Sequence, residues 1–172
     1  EIPETPIQTP APAQVILLLD FSNSMKYGMS ASGAPALAGT NPEQRWYVTR
    51  EAAKSFITSI LGNGTPANNE IAMIGFYSYY SYFGGETDIS GSDVDYVTTL
   101  LSDYSSDIDT LLNSFYYTTN LNDFRRENNG GTNVQAGLRR ARNLLASAAN
   151  DPTKAQFLIL MSDGEATSSI SY

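Results

Sequence analysis

Val15-Ile16-Leu17-Leu18-Leu19-Asp20-Phe21-Ser22-Asn23-Ser24-Met25 is the stretch on which the fold turns. Residues 15–19 are apolar and β-prone without alternation, so a strand built from them must be covered on both faces. That pattern is typical of a central strand in a parallel sheet. The run ends on Asp20, which places a carboxylate at the sheet edge, where loops and helix N-termini converge. Ligands of open α/β sheets bind beyond the carboxyl ends of the strands. Past Asp20, alternate positions carry the hydroxyls of Ser22 and Ser24. A looped backbone can turn one carboxylate and two hydroxyls toward a single point.

A second apolar run, residues 156–161, ends in the same way, at Ser162-Asp163-Gly164. Helical and extended segments alternate between the two runs. Residues 42–61 read as a helix, with Trp46, Ala53, Phe56, Ile57 and Ile60 at helical spacing and Gly62 as the stop. Residues 70–80 read as a strand, in which Ile71, Met73, Gly75 and Tyr77 alternate with Ala72, Ile74 and Phe76. Residues 94–101 give another strand and 107–115 a short helix. Residues 120–131 are polar loop. A strong helix is expected over 133–149, its stripe formed by Val134, Leu138, Ala141, Leu144 and Leu145. Gly130-Gly131-Thr132-Asn133 opens it; the glycines permit close backbone approach and Thr132 adds a third hydroxyl. The order β-α-β-β-α-α-β predicts an α/β fold: an open, mostly parallel, Rossmann-like sheet with helices on both faces.

Composition narrows the chemistry. The 172 residues are 41% hydrophobic, enough for one domain with a sizeable core. A net charge of -8 argues against nucleic acid as a partner. The chain contains no cysteine and no histidine. Thiolate and imidazole metal sites, Ser-His-Asp triads and imidazole bases are therefore excluded within it. A metal site here must use oxygen ligands, which suits Mg²⁺, Mn²⁺ or Ca²⁺. The longest apolar runs are strand-sized, so no membrane insertion is expected. Residues 1–13 hold Pro3, Pro6, Pro10 and Pro12 and read as a linker preceding a domain over 14–172. An export signal, if there is one, is expected outside these residues.

D-x-S-x-S after an apolar strand, G-G-T before a helix and S-D-G-E after a second apolar strand together resemble the metal-ion-dependent adhesion site of the von Willebrand factor A (vWA) family. Each motif alone is common; their order, each at the right end of its element, carries the resemblance. It implies a vWA fold and a cation, Mg²⁺ first, held by Asp20, Ser22, Ser24, Thr132 and Asp163. In the family the serines and sometimes the threonine bind the ion directly, while the aspartates act largely through water. The cation then offers an open position to an Asp or Glu carboxylate of a protein ligand. Asn23 stands where the family usually has glycine, and Asn is the next-best residue for a left-handed backbone. Read singly, Asp20 and Asp163 are equally good helix caps and the serines are turn residues.

Three segments are expected to rim the site and choose the partner: 26–41, 116–129 and the Tyr-rich turn with Tyr80, Tyr82 and Phe83. The first tyrosines of that strand are expected to pack instead. The resemblance spans about residues 14–169, whereas family members continue past S-D-G with a helix, two strands and further helices. The strand ending at Met161 is thus expected to expose an apolar edge, completed by a further segment or a second chain. The Pro-rich lead-in, the absent cysteines, the acidic charge and the Tyr/Ser/Thr/Asn-rich loops resemble Gram-positive cell-wall adhesins and pilus-tip proteins, which implies an extracellular, cell-surface module and no enzyme. The alternative is an intracellular vWA assembly module beside an ATPase or chelatase-like complex.

Overall fold

Strand β1 (Ala13–Asp20) runs between two parallel neighbours, β2 (Glu70–Phe76) and β6 (Ala155–Met161). The computed structural model describes residues 11–29, 37–62, 68–79, 97–115, 129–147 and 149–164. Strand β4 (Thr98–Ser105) pairs antiparallel with β2, so the sheet order is β4-β2-β1-β6. A short antiparallel pair, β3 (Ser78–Tyr79) with β5 (Asn129–Gly131), forms a second sheet. A 3-10 turn (Asn23–Lys26) follows β1. Helices α1 (Arg45–Leu61), α2 (Ile108–Asn113) and α3 (Val134–Leu145) complete the described elements. This is the α/β fold expected, mostly parallel with one antiparallel strand.

Two-residue alternation along the central strands sorts the core into two layers. Val15, Leu17, Leu19, Ile71 and Met73 face Trp46, Ala53 and Ile57 of α1 and Leu111 of α2. Ile16, Leu18, Ala72, Ile74 and Phe76 face Ala141 of α3. Both faces of β1 are therefore buried, as its unbroken apolar run requires. Tyr77 joins the first layer at 3% exposure, so the first tyrosine of its strand packs.

Several boundaries differ from expectation, each for a physical reason. β1 starts at Ala13 and the Pro12 carbonyl accepts from the Ala155 N–H at 2.9 Å, so the sheet reaches into the end of the Pro-rich segment. β4 continues to Ser105, beyond residue 101, because its antiparallel pairing tolerates a polar outer face and irregular register. α1 begins at Arg45, since Gln44 is the extended capping residue. α3 ends at Leu145, with Ala146 closing the last turn. β5 lies within the expected polar loop; three residues pairing through backbone leave no apolar pattern. Asn68, with φ 77°, is the one non-glycine left-handed residue among those described, so Asn23 does not use that conformation. Asn23 instead opens the 3-10 turn.

β6 is the outer strand of the sheet among the described residues. It exposes Phe157, Leu158 and Leu160, the apolar edge anticipated from sequence. No helix among the described residues is long and apolar enough to cross a membrane.

Candidate metal centre

In-register parallel pairing builds this site. Asp20 lies opposite Phe76 on one side, and Leu19 opposite Met161 on the other, so the chain leaving β6 passes beside Asp20. The Asp20 carboxylate is fully buried. One of its oxygens accepts the Ser22 backbone N–H at 2.7 Å, an Asx turn that starts the loop. The other accepts the Ser162 hydroxyl at 2.6 Å. Burial holds the Asp20 carboxyl above the usual carboxylate range; the hydroxyl and N–H donors pull the other way, and the Asp163 charge adds to the rise.

The loop then folds back on the same point. Ser22 and Ser24 hydroxyls lie 2.9 Å apart. Ser24 donates to Asp163 Oδ1 at 2.9 Å. Asp163 Oδ2 pairs with Arg45 Nη1 from the first turn of α1. Asp20, Ser22, Ser24 and Asp163 thus sit in one network. Thr132 is buried and directly follows β5, which packs against the 3-10 turn. The next residue, Asn133, caps α3 by accepting the Ala136 N–H at 2.9 Å. Tyr80, Tyr82 and Phe83 lie outside the described residues, as do 30–36 of the first rim segment and 116–128 of the second. The neighbouring β2 and β4 ends, Phe76 and Thr98, pair at the Asp20 end of the sheet.

Aromatic packing holds the loop in place. The Phe21 ring, next to Asp20, meets Trp46 edge-on with centroids 4.9 Å apart. Gly75 makes room for it: a Cβ there would fall 2.5 Å from the Phe21 ring. Backbone bonds from Met29 to Glu43 and from Arg45 to Tyr27, both 3.0 Å, tie the loop after the 3-10 turn to the start of α1. Sequence reasoning did not single out Ser162 or Arg45 for this site. Ser162 was visible only as the residue before Asp163, one past the Leu19–Met161 pair. Arg45 gave no signal beyond its place at a helix start.

The donor set fits a hard divalent cation. Two carboxylates and the hydroxyls of Ser22 and Ser24 converge, and neutral donors alone contact the buried Asp20 carboxylate. Two carboxylates and one guanidinium, Arg45, share a shielded place, which leaves one negative charge that a cation would relieve. Among the described residues no group of three or more acidic, His or Cys side chains assembles, so hydroxyls must supply part of any coordination.

No protein-family model matches the sequence, and no curated protein matches it significantly. Solved structures do. The vWF domain of the type V pili tip protein Mfa5 from Porphyromonas gingivalis is 25% identical, with TM-score 0.56, over 92% of this chain and 40% of that one. The pilus adhesin SpaC from Lactobacillus rhamnosus GG is 22% identical, with TM-score 0.56, over 93% of this chain and 16% of that one. The SpRpn10 VWA domain is 12% identical, with TM-score 0.51, over 88% of this chain and 59% of that one. The chain therefore spans less than two thirds of the length of each of these structures. Its parallel core, its element order and these likenesses agree that the chain has the fold of the von Willebrand factor A domains.

Proposed function

We propose that this chain binds a divalent cation, Mg²⁺ or in its place Mn²⁺ or Ca²⁺, and uses it to capture an acidic group of a partner protein. The observation that carries this reading is the buried Asp20 carboxylate, drawn together with Ser22, Ser24 and Asp163 at the carboxyl ends of two parallel strands. Ser22, Ser24 and Thr132 would offer hydroxyl oxygens to the ion, and Asp20 and Asp163 would supply charge directly or through water. Hydroxyl ligands are neutral, so the ion keeps positive charge toward solvent and attracts an Asp or Glu carboxylate. Capture of this kind needs no catalytic base, and we read the protein as a binding module rather than an enzyme.

The likeness to Mfa5 and SpaC supports a place in a cell-surface or pilus adhesin. The exposed Phe157, Leu158 and Leu160 fit a sheet completed by a further segment or a second chain. Calorimetric titration with Mn²⁺ and Mg²⁺, beside Asp20→Ala, tests the central point. Saturable binding lost in the variant is expected. A folded wild-type protein that binds neither ion removes the mechanism and leaves the fold standing.

A further inference from the structure

Arg45 stands where helix electrostatics disfavour it. It is the first residue of α1, and no acidic residue shares that first turn. A cation there faces the positive end of the helix dipole. Its compensation comes from Asp163, whose second oxygen the guanidinium holds while Ser24 holds the first. The pair is shielded, with side-chain exposures of 21% for Arg45 and 10% for Asp163, so solvent screens it less than a surface pair. Its origin is fixed as well. The Arg45 N–H bonds the Tyr27 carbonyl at 3.0 Å, and the next residue, Trp46, is buried against Phe21. A residue kept against a local preference by such support marks a functional demand.

We infer that Arg45 sets the charge of the proposed cation site: it weakens the hold on the metal and leaves the loaded site more positive toward an anionic partner group. This rests on the cation-binding reading above. Asp20 and Asp163 together carry two negative charges, which would neutralise a divalent ion. Arg45 offsets one of them and cannot lose its proton. The loaded centre then carries a net positive charge, directed at an incoming carboxylate. The cost falls on the metal, which meets a nearby cation and an Asp163 carboxylate already engaged on both oxygens.

The two effects have opposite signs, and a merely structural ion pair would not produce them. In Arg45→Gln and Arg45→Met, Mn²⁺ should bind about tenfold tighter by calorimetry, through loss of charge repulsion. Arg45→Lys, which keeps the charge, should match the wild type. With Mn²⁺ bound, acetate serves as the carboxylate probe, read by paramagnetic broadening of its methyl resonance. Acetate should bind several-fold more weakly to both neutral variants. Circular dichroism checks that each variant is folded, and the two neutral variants back each other up. A folded neutral variant with unchanged or weaker Mn²⁺ binding overturns the inference and leaves the cation site intact. Absence of Mn²⁺ binding in the wild type and all variants overturns the cation-binding reading, and this inference with it. Binding by the neutral variants alone would support both.

Discussion

The two ends of β1 are built on opposite principles. At its start, the fully buried Gln14 amide is saturated. Its NH₂ donates to Glu70 at 2.8 Å and to the Ala149 carbonyl at 3.1 Å. Its oxygen accepts from the Asp151 N–H at 2.8 Å and from the Gln156 amide at 3.0 Å. Nearby, Lys154 pairs with Glu70 at 2.8 Å. At its finish, six residues further along the same strand, Asp20 buries a charge among neutral donors and faces a second carboxylate. One end satisfies the buried Gln14 amide entirely with groups of the chain itself. At the other, Arg45 offsets one of two carboxylates, and an added cation would relieve the negative charge that remains. Buried polar networks stabilise when complete and are costly when incomplete, so the first end suits holding the sheet together and the second suits the cation proposed above.

The largest effect should come from emptying the completed end. Gln14→Ala strands the part-buried Asp151 N–H, the Ala149 carbonyl and part of the Glu70 pairing, and should cost about 2–4 kcal/mol in urea unfolding. Mn²⁺ affinity should hardly change, because the lesion lies at the far end of the strand. A loss below 1 kcal/mol would show that the network at this end contributes little and would erase the contrast.

Much of this contrast was legible in the sequence, and what was missed is instructive. The runs at 15–19 and 156–161 each carry one dominant pattern, so both strands and their terminal aspartates could be placed. Ser22 and Ser24 follow Asp20 so closely that the turn itself brings them near. Arg45 could not be placed, because a charged residue in a first helical turn reads as solvated until the partner strand is known. Ser162 reads as a turn residue until the register of β6 against β1 sets it beside Asp20. Gln14 reads as an ordinary polar residue before a strand, although it is 1% exposed. Partners more than 130 positions away complete it, and no local pattern encodes such pairs.

The Asp20 end should resist crowding where its shape matters. A methyl at Gly75 would lie 2.5 Å from the Phe21 ring, which cannot move without shifting Trp46 or the Asp20 loop. Gly75→Ala should therefore cost about 1–3 kcal/mol and weaken Mn²⁺ binding together. Loss of stability with unchanged Mn²⁺ affinity would mean that Phe21 packs without positioning the loop.

A smaller and opposite effect is expected where charge alone changes. Asp20→Asn keeps an oxygen for the Ser22 N–H and presents an amide to the Ser162 hydroxyl. In chelator it should raise stability at neutral pH by about 1 kcal/mol, by removing a buried charge. With excess Mn²⁺ the order should reverse, since the variant loses the metal that stabilises the wild type. An Asp20→Asn protein less stable than wild type in chelator would show that the carboxylate is already compensated within the chain.

The smallest effect tests the same comparison through pH. Burial alone would raise the Glu70 carboxyl, but hydrogen bonds from Lys154 and Gln14 outweigh it and hold it below its ordinary 4.5. Its folded value lies below its unfolded one, so its stabilisation is present above pH 4.5 and is lost as pH falls through the folded value. Asp20 has the reverse sign. Burial raises it above its ordinary 3.8, so its destabilisation is absent below that pH and grows as pH rises through the folded value. At pH 7 in chelator, Glu70→Gln should fall below wild type by less than about 1 kcal/mol, as partly exposed ion pairs do. Asp20→Asn should lie above it. On acidification both variants should converge on the wild type, from opposite sides, because protonation removes the charge each substitution removes. Urea unfolding across the acid range reads both curves. Convergence from the same side would mean that the two ends of β1 do not differ in electrostatic design, and the case for a cation at Asp20 would lose its physical basis.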